Sequence, residues 1–411
     1  MRTGGREPAS YCFDSIRSLF QSVAMNAVKQ CPTLSRACRK YLLRGCLFAA
    51  ATFLLCYGSA QAQLLFVNGQ SVQSHVAQLR SQVLQRDSQE YIVPTAGQLS
   101  DFRSLADGLR DAQTTTDLQS LLPSATALGY DVVVLNDAGS TFYGLQETAT
   151  VGSQKGWGSF FLRQGASNSA LVEVAHPLAD INTTDVSAQV FVDSEAKGFL
   201  LAGAHRNANG FGTADVAHLN ESIFQEVHQS FADNAPNLSV WQVHGFNIDL
   251  HPEVPIDTDA ILSSGTGGVT ELVLGLDQNI DGLPGNFTSY SFNTLDVTDS
   301  LNVATNGNLP GSVFSQLGGT TNVQRQHTSS IGGQFVHIEL EQSFRIDGGE
   351  SARQLASQSI ANAIISSAIA VPEPSTFAIV GIIGVCFLTR RRREDERKEA
   401  AHKKLRAALI G

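Results

Sequence analysis

Two apolar stretches of the sequence end on histidine, a residue that binds zinc through its neutral imidazole. His176 closes one stretch and is followed four residues later by Asp180, and His244 closes another. Two imidazoles and a carboxylate can form a zinc site that keeps one position open for water. We therefore predict a zinc site made of His176, Asp180 and His244. A set of ordinary, locally hydrogen-bonded strand ends is the alternative.

A third stretch carries residues suited to acid–base chemistry. Strand alternation places His337, Glu339 and Glu341 on one face of the stretch that ends near residue 341. Polar groups held between apolar neighbours need water, a partner or a metal. Glu339 or Glu341 could then act as general base for a water molecule activated by zinc. The alternative is the exposed face of an edge strand.

A cationic side chain also falls at the end of an apolar run. His205 and Arg206 follow such a run, and an arginine there could hold a substrate carboxylate. We predict that both residues bind substrate, with an ion pair between Arg206 and Asp215 as the alternative. His218 is expected to reach the site, whereas His228 is expected to face solvent.

Two glycine-rich polar segments, 263–268 and 317–322, could cradle an oxyanion with backbone amides. Neither is followed by the Gly-Lys-Ser/Thr of a phosphate-binding loop. Neither contains the Gly-x-Ser-x-Gly turn of a serine hydrolase. We therefore interpret both segments as loops.

The elements that must position these residues are visible in the apolar rhythm. The predicted strands are 131–135, 141–147, 158–163, 169–175, 198–204, 240–243, 260–265 and 335–340. The predicted helices are 74–86, two within 102–122, 186–196, 214–233 and 349–370, and 271–276 is either a strand or a helix. This pattern predicts an α/β domain over 126–370, with a mainly parallel or mixed sheet and helices on both faces, preceded by a helical N-terminal cap over 63–125. Ligands bind outside the carboxyl ends of such strands, where His176, His205 and His244 fall.

Composition excludes one class of partner and one means of stabilisation. Of the 411 residues, the segment 63–370 carries 11 basic and 31 acidic residues, a net charge of −20. This charge repels phosphate backbones and excludes nucleic acid as an expected partner. All six cysteines lie outside that segment, so its core or a bound metal must stabilise it without disulfides.

The N-terminal segment 1–62 predicts export. A basic region precedes a short apolar core, and Ala60-Gln61-Ala62 supplies the small residues of a signal-peptidase site. The apolar core is too short for a comfortable membrane span. We predict cleavage after Ala62, with Met25 as an alternative start to Met1.

The C-terminal segment 371–411 contains a Pro-Glu-Pro motif at 372–374, an apolar run at 377–388 and four arginines at 390–393. This order resembles the PEP-CTERM sorting signal, although a further tail over 394–411 departs from it. The resemblance implies export, an exosortase-type processing partner, a transient inner-membrane anchor through 377–388, and a final location at the cell surface, outer membrane or extracellular matrix. A plain membrane anchor is the alternative.

The order of motifs over 130–346 resembles a second family. His-Pro-x-x-Asp, His-Arg, Val-His-Gly and His-Ile-Glu-Leu-Glu follow one another as in the N-formylglutamate amidohydrolase and poly-gamma-glutamate hydrolase group. The resemblance implies a zinc-dependent amide hydrolase of carboxypeptidase-like, phosphorylase/hydrolase-like α/β fold. It places the ligands on His176, Asp180 and His244 and the late glutamate of the family on Glu339, with Glu341 as the alternative. The group often has glutamate where Asp180 stands, so Asp185 is an alternative second ligand.

These observations predict an exported, surface-sorted zinc amide hydrolase acting on peptide or poly-glutamate-like substrates. A non-catalytic surface or matrix protein on the same scaffold is the first alternative. A calcium-stabilised adhesion domain, suggested by the acidic loops, is the second.

Overall fold

The computed structural model describes residues 63–148, 154–233, 235–266, 270–285, 287–291 and 316–370. All of them belong to one compact unit, Ala62–Gly411. The predicted leader 1–62 and the predicted sorting segment 371–411, with its apolar run 377–388, lie outside the described residues. Among the described residues, no helix combines the length and the apolar character needed to cross a membrane.

A ten-stranded mixed sheet forms the centre of the described fold. Its strands are β1 (Leu64–Val67), β2 (Tyr130–Asp137), β3 (Ser140–Glu147), β4 (Ser159–Arg163), β5 (Ala170–Val174), β6 (Gly198–Leu201), β7 (Ser239–Gly245), β8 (Ala260–Ser263), β9 (Ser289–Ser291) and β10 (Gln334–Leu340). Their order is β1-β2-β3-β4-β6-β5-β7-β10-β8-β9. The strands β6, β5, β7 and β10 run parallel to one another, so their carboxyl ends share one edge.

Eight α-helices cover this sheet in the described part of the chain. They are α1 (Val72–Arg80), α2 (Ala96–Asp111), α3 (Thr115–Leu128), α4 (Thr183–Asp193), α5 (Ile223–Ala232), α6 (Glu271–Asp281), α7 (Val323–Ser330) and α8 (Gly349–Ala370). Capping sets several of their starts. For example, Thr95 and Thr114 each form a reciprocal capping box with the residue three positions later.

Alternate residues of each strand enter two different cores, as the strand period requires. In β7, Val240 packs in a core shared with α2, α3 and α5, whereas Trp241 packs in a core shared with α1, α4, α6 and α8. The prediction of an α/β fold with a mixed sheet and helices on both faces is therefore confirmed. The helices of segment 63–125 belong to these same layers, and its strand β1 pairs with β2.

Most predicted elements are present, and the differences have local causes. The predicted helix 214–233 begins only at Ile223, because Ser222 caps it and the preceding residues form turns. Of the two options for 271–276, the helix is correct. Three elements were not predicted: β1 and β9 are only four and three residues long, and α7 is too polar to show an apolar stripe.

The strand register places polar residues in rows that approach the carboxyl edge. On the face that carries α2, α3 and α5, the rows across β5, β7 and β10 are Leu171–Val240–Phe335, then Glu173–Gln242–His337, then His244–Glu339. Each strand is apolar at its beginning and polar near its end on this face. Because neighbouring strands lie about 4.8 Å apart, residues of one row are within contact distance.

One buried acid in α6 makes stability depend on pH. Burial raises the pKa of Asp277 to about 6, and nearby Asp281 adds to this, although the Ser289 hydroxyl donates a hydrogen bond to Asp277. A carboxyl group whose pKa is raised by folding stabilises the fold while protonated, so its contribution falls as pH rises from about 4 to about 6. We expect Asp277→Asn to remove this fall and to raise the free energy of unfolding at pH 7 by about 1–3 kcal/mol. Urea unfolding of both proteins at pH 4.5 and pH 7 measures both effects. If Asp277→Asn changed the free energy of unfolding equally at the two pH values, the raised pKa of Asp277 would be contradicted.

Candidate metal centre

Three side chains from β7 and the loop after β5 converge at the carboxyl edge of the sheet. The Nδ1 atoms of His176 and His244 lie 3.1 Å apart. Oδ2 of Asp180 lies 3.3 Å from Nδ1 of His176 and 3.2 Å from Nδ1 of His244. All three residues are buried. The structure therefore brings together the three residues that the sequence predicted as metal ligands.

A tight turn returns Asp180 to His176. The carbonyl oxygen of His176 accepts the backbone N–H of Asp180, and the carbonyl oxygen of Asp180 accepts that of Thr183. Asn182 adopts a left-handed conformation with φ of 66°, which ends the turn and starts α4. The alternative ligand Asp185 lies in the first turn of α4, exposed, and is not part of the cluster.

The outer nitrogens of both histidines have hydrogen-bond acceptors. Nε2 of His176 lies 2.8 Å from a carboxylate oxygen of Asp215, and Nε2 of His244 lies 2.7 Å from Oε1 of Gln242. An imidazole that donates through Nε2 has its lone pair on Nδ1. Both Nδ1 lone pairs consequently face the carboxylate of Asp180 and each other, an arrangement typical of metal-binding histidines with outer-shell acceptors.

Three acceptors at 3.1–3.3 Å from one another repel unless a metal ion or a proton lies among them. In a tetrahedral zinc site with bonds of about 2.0–2.1 Å, ligand atoms lie about 3.3 Å apart, close to these separations. The electrostatics of these three side chains show the same demand for positive charge. Burial lowers the pKa of His176, but the carboxylates of Asp180 and Asp215 outweigh it and raise this pKa to about 9.

The pKa values of the neighbouring groups follow from the same charges. Despite burial, His176 and His244 lower the pKa of Asp180, and His176 with His218 lower that of Asp215. Burial lowers the pKa of His244. The two aspartates are therefore held as anions and His244 is held neutral, the protonation states that metal ligands and their acceptors require.

A cavity of about 370 Å³ opens onto the three ligand atoms. Glu339 lines it from β10, in register with His244. Burial, followed by the charge of Asp180, raises the pKa of Glu339 well above its usual value. Its carboxylate lies 4.0 Å from Nε2 of His337. A carboxylate with a raised pKa beside a metal site is suited to accept a proton from water.

A second group of possible ligands shares one residue with the first. His244, His337 and Glu339 have ligand atoms within 4.8 Å of one another. However, the rings of His244 and His337 are stacked, with centroids 4.6 Å apart and planes 25° apart. Stacked rings direct their nitrogens side by side rather than toward one point. The first group, with its shorter and more even separations, is the better metal site.

Of the other predicted site residues, Arg206 lines the cavity, whereas His205 and Glu341 do not. Arg206 lines the cavity and is exposed, and the alternative ion pair with Asp215 is not formed. Nδ1 of His205 instead accepts the N–H of Asn207, and His205 is not among the described residues that line the cavity. Glu341 lies one residue beyond β10, where its carboxylate accepts the N–H of Ser343. Its side chain therefore serves a turn, and Glu339 alone of the two glutamates lines the cavity.

The structure agrees with the expected position of His218 but not with that of His228. His218 lines the cavity as expected, and its Nδ1 lies 3.1 Å from Asp215. The expectation that His228 faces solvent is wrong. His228 is fully buried, because α5 presents it to the sheet, where it lies 2.7 Å from a carboxylate oxygen of Glu173.

Two residues beside the ligands, Arg345 and Gln242, had no predicted role at the site. Arg345 lines the cavity and donates to the carbonyl oxygens of Ile181 and Phe246, which follow β5 and β7, and of Leu340, the last residue of β10. A Cβ on Gly245 would overlap Nε of Arg345, so this arginine requires glycine there. The loop 317–322 also lines the cavity. For Gln242, the available signal was its position two residues before His244, on the same strand face.

Comparisons with known proteins give low similarities. No protein-family model matches the sequence, and no curated protein matches it. A protein of Shewanella denitrificans assigned as a carboxypeptidase A aligns over 52% of this chain and 60% of its own, less than two thirds, at 11% identity and a TM-score of 0.30. A metallo-carboxypeptidase of Pseudomonas aeruginosa, solved with (2-guanidinoethylmercapto)succinic acid, aligns over 62% and 68% at 12% identity and a TM-score of 0.30. A second Shewanella denitrificans protein, assigned as a metallopeptidase, aligns over 62% and 89% at 10% identity and a TM-score of 0.28. Matches at these scores assign no family and no function.

Proposed function

We propose that this chain is a zinc-dependent amide hydrolase, exported and sorted to the cell surface, that acts on peptide or poly-glutamate-like substrates. One observation carries the proposal: the lone pairs of His176 and His244 and the carboxylate of Asp180 converge at 3.1–3.3 Å at the base of a cavity. The cavity also contains a general-base candidate and an arginine. Export and sorting rest on the sequence patterns of 1–62 and 371–411.

The chemistry follows from the positions of the side chains. Zinc, when bound, supplies a Lewis acid that polarises an amide carbonyl and lowers the pKa of water. Glu339 accepts a proton from the attacking water and returns it to the amine that leaves when the C–N bond breaks. Arg206, on the cavity wall, would hold a carboxylate of the substrate through charged hydrogen bonds. Asp215 and Gln242 keep the ligand histidines in the metal-binding tautomer.

The test is hydrolysis by the purified protein with and without zinc. We expect release of an amino group from short acyl-amino acids or γ-glutamyl peptides, abolished by chelation and restored by zinc. A protein that binds zinc but hydrolyses none of these amides would support the non-catalytic surface protein. Stability that is lost on chelation and restored by calcium, but not by zinc, would support the adhesion domain.

The role of Arg206 makes a separate prediction about substrate charge. Loss of a charged hydrogen bond costs about 1.5–3 kcal/mol, so Arg206→Ala should lower kcat/KM about 10–100-fold for substrates with a free carboxylate. The same substitution should change kcat/KM less than about threefold for the carboxamide of each substrate. Arg86→Ala is the matched control, because Arg86 is exposed, pairs with Asp87 and does not line the cavity. Equal losses for acid and amide substrates would exclude the carboxylate role.

A further inference from the structure

The amide of Gln242 uses all of its hydrogen-bonding capacity inside the protein. Its Nε2 donates to Oε2 of Glu173 at 2.9 Å and to Oε1 of Gln324 at 3.3 Å. Its Oε1 accepts from Nδ2 of Asn322 and faces Nε2 of His244 at 2.7 Å. A carboxamide has two N–H donors and two acceptor lone pairs, so Gln242 is fully satisfied.

Two neighbours fix the direction of this amide. The carboxylate of Glu173 can only accept toward Gln242, so the nitrogen of Gln242 must face it. On the other side, Oδ1 of Asn322 accepts the backbone N–H of Arg325, which leaves the nitrogen of Asn322 to face the oxygen of Gln242. A flipped Gln242 would place an oxygen against the carboxylate of Glu173 and an N–H against the Nδ2 donor of Asn322. All partners therefore require the same orientation.

The oxygen of Gln242 consequently accepts a proton from Nε2 of His244, and the lone pair of His244 lies on Nδ1, toward the other ligands. We propose that Glu173, Gln242 and Asn322 form a positioning unit that sets the tautomer of His244 and thereby the affinity of the metal centre. The inference rests on the proposed function, because it presumes that His244 binds zinc. It assigns a role to a carboxylate three residues before His176 that never reaches the cavity.

Burial of the positioning unit leaves its members dependent on one another for hydrogen bonds. Glu173, Gln242 and His228 are fully buried and Asn322 is 1% exposed, so water cannot substitute for a missing partner. The second oxygen of Glu173 lies 2.7 Å from Nδ1 of His228, which anchors the carboxylate to α5. Asn322 caps the start of α7. The orientation of a metal ligand on β7 therefore depends on residues from β5, α5 and α7.

The first test compares zinc affinities of the purified protein by competition with a chelator of known affinity. We expect Gln242→Met to weaken zinc binding about 10–100-fold, the usual cost of removing an outer-shell partner. Gln225→Met is the matched control. Gln225 is buried in the same cluster and accepts from Gln324, but does not touch Gln242 or a ligand. The control should lower the melting temperature yet change zinc affinity less than about threefold.

A double variant that exchanges the acid and the amide tests the direction of the hydrogen bonds rather than packing alone. In the double variant Glu173→Gln/Gln242→Glu, a carboxylate at position 242 accepts from His244 and Asn322, and an amide at position 173 donates to it and accepts from His228; only the 3.3 Å hydrogen bond to Gln324 is lost. We expect zinc affinity within about threefold of the unmodified protein, or tighter, because a carboxylate acceptor makes the imidazole more basic. Weakening of the double variant to the level of Gln242→Met would overturn the proposal.

The second measurement needs no substitution and therefore does not depend on folding of a variant. In ¹⁵N-histidine spectra of the zinc-loaded protein, the proposal requires a proton on Nε2 of His244 and none on Nδ1. A proton on Nδ1 would overturn it, as would equal zinc affinities of the Gln242→Met and Gln225→Met proteins. An unmodified protein that binds no zinc refutes the proposed function itself, whereas normal zinc binding with an unaffected Gln242→Met protein refutes only this inference.

Discussion

Replacing Glu339 by glutamine should lower kcat about a thousandfold while the protein keeps its zinc. Glutamine has the size of glutamate but cannot accept a proton, and general-base catalysis contributes about 10²–10⁴-fold to such reactions. Glu339 lines the cavity and has a pKa well above its usual value because it is buried and close to Asp180. Because its carboxylate is not one of the three convergent ligand atoms, zinc content should remain at about one ion per chain.

Glu341→Gln provides the control, since the two glutamates lie two residues apart and the sequence left Glu341 as the alternative to Glu339. Glu341 accepts the backbone N–H of Ser343 and does not line the cavity. Its substitution should lower stability slightly and leave kcat within about threefold. Steady-state kinetics at saturating zinc distinguish the two residues. Full activity of the Glu339→Gln protein, or a larger loss in the Glu341→Gln protein, would refute Glu339 as the base.

The second large effect concerns the ligands. His176→Ala and His244→Ala should each reduce zinc affinity by at least about a thousandfold, since each removes one of three ligands, a larger loss than an outer-shell change. A ligand that binds only the folded state stabilises it by about 2.7 kcal/mol at a hundred times its Kd. The unmodified protein should therefore melt at a higher temperature with zinc than without, and this difference should disappear in both variants.

His251→Ala is the control for a general loss of imidazole from the cavity. His251 lines the same cavity but is not part of either group of convergent ligands. Metal analysis after dialysis should find about one zinc ion per chain in this variant and almost none in the two ligand variants. Zinc retained by the His244→Ala protein at full stoichiometry would show that the ion binds elsewhere.

The apolar rhythm of the sequence was sufficient for the fold class but not for every boundary. Doubly buried strands such as 198–201 show a continuous apolar run, and α8 was predicted with its observed bounds. The start of α5 was missed because Val216 continues its apolar stripe outside the helix. Only Ser222, as an N-cap, marks the true start, and many serines in the chain do not cap helices.

Some residues of the site can be predicted from the local sequence, whereas others depend on contacts between distant parts of the chain. The ligands were predictable because His176 and His244 follow apolar strands and parallel strands share a carboxyl edge. Their acceptors were not predictable, because Asp215 lies 39 positions from His176 in a turn that was interpreted as helix. The burial of His228 depends on Glu173, an acid inside an apolar strand. An acid inside an apolar strand indicates that it has a buried partner, but the sequence does not show which residue that partner is.

The position of the metal ion is the most direct test of the account. A crystal of the zinc-loaded protein, measured at the zinc absorption edge, should show one anomalous peak about 2.0–2.2 Å from Nδ1 of His176, Nδ1 of His244 and a carboxylate oxygen of Asp180. A peak bound instead by His337 and Glu339, or no peak at the carboxyl edge of β5 and β7, would contradict the proposed centre and the hydrolase built on it.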